Sequence, residues 1–129
     1  MPFNMNFTID IDPKRRLVVE KIYGIWKQDT ALKYRDEFAE TAAPLTKGNW
    51  AKLINLCNWK SSYPEILEIV GEHLKWCREN GMVWSVNIID DPTTIKQLKK
   101  MFVIGGTEEI SRIFKTQEEG EKFLKSQGF

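Results

Sequence analysis

Apolar and polar residues alternate from Phe7 to Ile11, with Phe7, Ile9 and Ile11 set against Thr8 and Asp10. That period of two marks a half-buried strand. Asp12-Pro13-Lys14-Arg15-Arg16 supplies turn chemistry, and Leu17–Tyr23 resumes with β-branched and aromatic residues. The two runs are predicted to pair as an antiparallel hairpin. Gly24-Ile25-Trp26 continues or bends the second strand. The period then changes: Leu32, Tyr34, Arg35, Phe38 and Ala42 recur at spacings near three and four, so Thr30–Ala43 is expected to be an amphipathic helix with Asp29 as its N-cap.

The organising stretch is Asn49–Ile69. Ala51–Leu56 is nearly all apolar, as expected of a strand covered on both faces. Cys57–Ser61 reads as a polar loop, and Ser62-Tyr63-Pro64-Glu65 as a capping box opening the longest helix. Ile66, Ile69, Val70, His73, Leu74 and Cys77 trace the inward face of that helix, and Asn80-Gly81 stops it. A strand over Met82–Ile89 follows, then a helix capped by Asp91-Pro92 and running through Ile95, Leu98, Met101 and Phe102 to Gly105-Gly106. Ile110–Phe114 is predicted as a last short strand. Thr116-Gln117-Glu118-Glu119 is a second capping box for a terminal helix with Phe123 and Leu124 inward. The predicted order is β-β-α-β-α-β-α-β-α: one α/β domain over 1–129, a mixed sheet with helices packed on it.

Composition narrows the function classes. The 129 residues are 42% hydrophobic, enough for a core, and 19 basic against 18 acidic side chains leave a net charge of +1. That balance argues against a dedicated nucleic-acid binder. No apolar run approaches the roughly 20 residues that span a bilayer. The first residues lack the basic start and apolar core of a signal peptide, so a cytoplasmic protein is expected. Cys57 and Cys77 are expected to be free thiols. A single histidine, His73, excludes a multi-histidine metal site within one chain, and no cofactor is expected.

Candidate chemistry gathers in the loop beyond the organising strand, at the carboxyl end of a strand and before a helix amino terminus, where open α/β sheets place their sites. Ser61 and Ser62 are helix caps or candidate phosphoacceptors, with Lys60 as a counter-charge. Cys57 is a nucleophile without an evident acid or base, and His73 reads as a satisfied helical histidine. Gly105-Gly106 follows a helix and lacks the lysine of a phosphate loop. Lys96, Lys99 and Lys100 form a solvated face, or a docking patch for an acidic partner. Asp91 before Pro92 is a cap rather than a cation ligand. Of the five tryptophans, Trp26 and Trp59 stand where burial is least assured. They either cover the sheet's rim or line a groove.

The opening hairpin, Lys-Leu-Ile-Asn-Leu at Lys52–Leu56 running into the long helix, and Arg112–Leu124 with its phenylalanine, polar turn and acidic helix start together resemble the STAS, or SpoIIAA-like, domain of the anti-sigma-factor antagonists. The resemblance implies a non-enzymatic regulatory domain that binds a protein partner. In phosphoregulated members a serine in an Asp-Ser-Ser-Gly-like turn follows the central strand. This chain departs from that pattern: the strand ends in Asn-Leu-Cys-Asn, and Ser61-Ser62 precede Tyr63-Pro64. The expected surface comprises Trp26, Asn58, Trp59, Lys60 and Tyr63, with Ser61 or Ser62 as a charge switch. The alternative is a pocket for a lipid or other apolar molecule, which requires an enclosed cavity between helix and sheet. Pairing of the hairpin edge with a second copy would give a homodimer.

Overall fold

A computed structural model describes residues 6–60 and 63–129. The elements are β1 (Phe7–Asp12), β2 (Leu17–Ile25), α1 (Gln28–Ala42), β3 (Trp50–Lys60), α2 (Pro64–Glu79), β4 (Met82–Ile88), α3 (Pro92–Gly105), β5 (Ser111–Phe114) and α4 (Gln117–Ser126). The order is the predicted one, with 3-10 turns at Ala43–Leu45 and Glu108–Ile110. Strands follow one another across a five-stranded sheet in sequence order. β1 and β2 form the antiparallel hairpin, and β2-β3, β3-β4 and β4-β5 are parallel.

The parallel strands require crossovers, and the helices provide them. Side chains of α1, α2 and α3, among them Tyr34, Phe38, Val70, Leu74 and Leu98, pack with Val18, Ile22, Ile54 and Leu56 on one face. On the other face Leu124 of α4 meets Leu17, Ala51, Leu53, Val86 and Ile88. The near-continuous apolar reading of β3 thus reflects two covered faces.

Several termini follow their local chemistry. Asp91 caps α3 by accepting from Thr94 N at 3.1 Å, and Thr116 with Glu119 makes the reciprocal capping box of α4. Gly106 adopts φ 67° at the end of α3, a left-handed turn that glycine enters without steric cost.

Three boundaries depart from expectation. The cap of α1 is Lys27, without a side-chain bond, and Asp29 lies inside the first turn, accepting from Thr30 N at 2.9 Å. Tyr63 stands at the N-cap of α2 without a side-chain cap bond and Glu65 at N2; the expected box begins at Ser62, which lies outside the described residues. Ile110 belongs to the 3-10 turn, and β5 starts at Ser111.

Candidate functional site

The largest departure lies at the organising stretch. The predicted loop over Cys57–Ser61 is strand as far as Lys60, giving β3 eleven residues. β4 pairs with β3 up to Asn55, whereas β2 accompanies it to the Ile25–Lys60 pair. The carboxyl end of β3 is therefore a two-stranded ribbon overhanging the sheet. A one-residue bulge makes this workable: Lys21–Tyr23 of β2 spans Asn55–Asn58 of β3. Asn55 Oδ1 accepts the Cys57 N–H at 2.9 Å and so satisfies a backbone donor within the bulged segment.

The bulge shifts the side-chain phase. Ile54 and Leu56 face the helices, and after one extra residue Trp59 does too, while Asn58 and Lys60 are exposed. Trp59 is 1% exposed and Trp26 0%, their rings T-shaped at a centroid separation of 5.5 Å. Both are core residues, and the expectation of exposed tryptophan anchors is corrected. Trp26 Nε1 donates to Tyr23 O at 3.1 Å. Burial of such large rings is a main stabiliser of the ribbon.

What the ribbon offers to solvent is different. Ile25 is 63% exposed and Tyr63 41%, and they flank the end of β3 where Lys60 pairs with Asp91 at 3.5 Å. Asn58 lines an open depression with Thr8, Lys21, Tyr23 and Gly24. Of the predicted surface, Lys60 and Tyr63 bracket the β3–α2 junction, Asn58 belongs to the neighbouring depression, and Trp26 and Trp59 lie beneath. Ser61 and Ser62, which join Lys60 to Tyr63, lie outside the described residues. Ile25 was legible as the one apolar residue between Gly24 and Trp26, yet it reads from sequence as plain strand.

The space between helices and sheet near these tryptophans is a cavity of about 20 Å³, reached by Trp26, Trp59, Leu56, Val70, Leu98 and Lys52. A single water requires about 10–15 Å³ by the same kind of measure. The cavity is too small for a lipid, so the enclosed pocket required by the alternative reading is not present in this conformation.

Deeper lies a polar chain that periodicity did not reveal. Lys52, from β3, is buried with its Nζ 2.9 Å from His73 Nε2 and 3.3 Å from Glu20 Oε2. Tyr34 donates its hydroxyl to Glu20 Oε1. Cys77 Sγ lies 3.5 Å from the same His73 nitrogen. The ammonium can only donate, so Nε2 accepts and the His73 proton resides on Nδ1. Phe38 lies under the ammonium at 4.7 Å from its ring centroid.

Burial holds these groups in uncharged forms around the ion pair. His73 is pushed well below its ordinary pKa by burial and then by Lys52 and Arg35. Burial also raises Tyr34 well above its usual value, with Glu20 adding to it, and raises the Cys77 thiol to about 12. Glu20 is raised by burial, with Lys52 and Tyr34 acting against that rise. A protonated thiol beside a neutral imidazole, both closed to solvent, has the properties of an internal brace rather than of a reactive pair. Cys57 is exposed and free, and its sulfur faces Ile88 O at 3.8 Å. Among the described residues no group of three or more metal-ligating side chains assembles, and no helix is long and apolar enough to cross a membrane.

Two solved structures share this architecture. The Bacillus cell fate determinant SpoIIAA in its phosphorylated form gives a TM-score of 0.60 at 16% identity, covering 92% of this chain and 98% of its own. The anti-sigma factor antagonist SpoIIAA in its unphosphorylated form gives 0.61 at 16% identity, covering 93% and 96%. The fold is that of SpoIIAA. No family model matches the chain, and no curated protein matches its sequence. At this identity the likeness speaks for the fold alone, and the function has to be read from the site.

Proposed function

We propose that this chain is a non-enzymatic, cytoplasmic regulatory domain that binds a protein partner through the β3–α2 junction. The observation that carries the reading is that two exposed large apolar side chains, Ile25 in register with Lys60 and Tyr63 three residues beyond it, flank that cation at the end of the overhang. Exposed aromatic and apolar anchors set among polar residues are what interfaces use for most of their binding energy. The support from below is the Trp26–Trp59 pair, which fixes the overhang without being exposed.

Ser61 and Ser62 fit this reading as the switch. A phosphate on either would stand within two residues of Lys60 in sequence and before the amino terminus of α2, and would compete with Asp91 for the ammonium. One fold neighbour is itself described in a phosphorylated form.

The test is affinity capture from the native lysate with the wild-type chain, Ile25→Ser, Tyr63→Ser and a remote surface control, Glu118→Ser. A partner retained by wild type and control but lost with both junction variants supports the reading. Equal capture by all four chains removes it. Native mass spectrometry of the chain from its own cells reads an added phosphoryl group, which Ser61→Ala or Ser62→Ala abolishes if the switch is there.

A further inference from the structure

The sheet ends at β5, on the side opposite the hairpin. Phe114 O accepts from Ile89 N at 3.0 Å and Arg112 O accepts from Asn87 Nδ2 at 3.2 Å, so both carbonyls face β4. Strand alternation therefore turns the backbone groups of Ser111 and Ile113 to the open edge. Arg112 Nη1 donates to the Ser111 carbonyl at 2.9 Å. Ile113 is left with both its N–H and its C=O directed outward.

Beside this edge runs a groove of about 360 Å³ between β5 and α3. Its walls are Phe102, Val103 and Lys99 from α3, Ser111 and Ile113 from β5, and Glu108 at one end. Val103 is 59% exposed there. An unpaired strand edge flanked by a helix, with an apolar groove between them, is the arrangement that captures extended peptides by strand addition.

The charge of the flanking helix selects among occupants. α3 contains Lys96, Lys99 and Lys100 and no acidic residue, and among the described residues none of these lysines enters an ion pair. Lys96, Lys99 and Val103 share one stripe at helical spacing, next to the groove. Lys115 follows the strand. At the acidic end, Glu109 faces Arg78 at 3.9 Å. A second copy joined edge to edge about a two-fold axis at Ile113 would keep both α3 helices on one face and bring their lysine stripes together. An acidic strand avoids that repulsion and neutralises the stripe.

We infer that the β5 edge and α3 form a docking groove for an extended segment of another protein whose every second residue, on the side facing α3, is by turns acidic and apolar. Ile113 supplies the backbone pairing, Phe102 and Val103 receive the apolar side chains, and Lys96, Lys99 and Lys115 face the carboxylates. This surface is distinct from the β3–α2 junction.

The test is an amide-resolved NMR titration of the full chain with a blocked Glu-Thr-Val-Thr-Glu-Thr-Val peptide, in which Glu and Val share one face of the strand, against the same peptide carrying lysine for glutamate. The expected result is saturable shifts confined to Ser111–Phe114 and Lys96–Val103, with slowed hydrogen exchange at the Ile113 amide. Lys99→Glu, an exposed change that leaves the fold intact, weakens binding by about tenfold. Equal binding of the lysine peptide, absence of shifts at the highest soluble peptide concentration, or shifts elsewhere overturns the proposal. So does a concentration-dependent β5 shift without peptide, which assigns the edge to a second copy.

Discussion

Lys52 Nζ stands 2.9 Å from His73 Nε2, with both side chains closed off from solvent between β3 and α2. The imidazole can hold the ammonium only while it is neutral. Because the folded His73 pKa lies well below its ordinary value of 6.5, the unfolded chain takes up a proton there first as pH falls. Stability carried by neutral His73 is full above that value and declines below it, by about 1.4 kcal/mol per pH unit at most, until the folded pKa is reached. Around the histidine stand Lys52 and Glu20 from the sheet, Tyr34 and Arg35 from α1, and Cys77 on α2. Urea unfolding between pH 7.5 and 5 should show this loss in wild type and lack it in His73→Gln. The difference between the two isolates His73 from Glu20, whose raised pKa acts in the opposite sense.

Removing the ammonium alone leaves a buried carboxylate facing a hydroxyl and no cation. Lys52→Ala is expected to cost about 3–5 kcal/mol. The double variant Glu20→Gln/Lys52→Met removes both charges and keeps volume, and it should recover most of that loss. A denaturation series that finds the double variant as unstable as the single one would refute a charge-pair origin.

The two thiols should react on different clocks. Cys57 is exposed, whereas Cys77 is buried with its thiol raised to about 12. A thiol reagent at neutral pH is expected to modify Cys57 at once and Cys77 only on global opening, at a rate that follows denaturant. Fast double labelling in native buffer would contradict the placement of Cys77.

Helices α2 and α3 meet through glycine. A Cβ on Gly105 would lie 2.7 Å from Gly71 O, 2.9 Å from Leu74 Cβ and 3.2 Å from Lys75 N. Two of these are backbone atoms, so the helices themselves must separate. Gly105→Ala should destabilise by about 1–3 kcal/mol despite alanine's higher helix propensity, which alone would favour it by about 1 kcal/mol. Thermal unfolding decides the sign.

Element order, strand pairing and two helix caps were legible because hydrophobic period and turn chemistry are local. Asp91 and Thr116 cap as their sequence neighbours suggest. The end of β3 was not. Cys57-Asn58-Trp59-Lys60 is polar enough to read as loop, and its alternation becomes visible only after allowing the one-residue slip at the bulge. Glu20, Lys52 and His73 belong to three different elements, so no spacing within one segment relates them. A lysine inside a strand covered on both faces was the available sign that a buried counter-charge existed. Lys60 and Tyr63 could be placed at the β3–α2 junction from the sequence because the junction of a strand end and a helix start can be located without knowing the packing.

Trp26 and Trp59 cross at 77° with centroids 5.5 Å apart, one leaving β2 and the other next to Lys60. Two indoles so close and so inclined are electronically coupled chromophores, and their near-ultraviolet ellipticity depends on the angle between them. Any event that twists the overhang, whether a partner gripping Tyr63 or a phosphate drawing Lys60 from Asp91, changes that angle. The protein thus carries its own optical gauge at the β3–α2 junction, readable without a label.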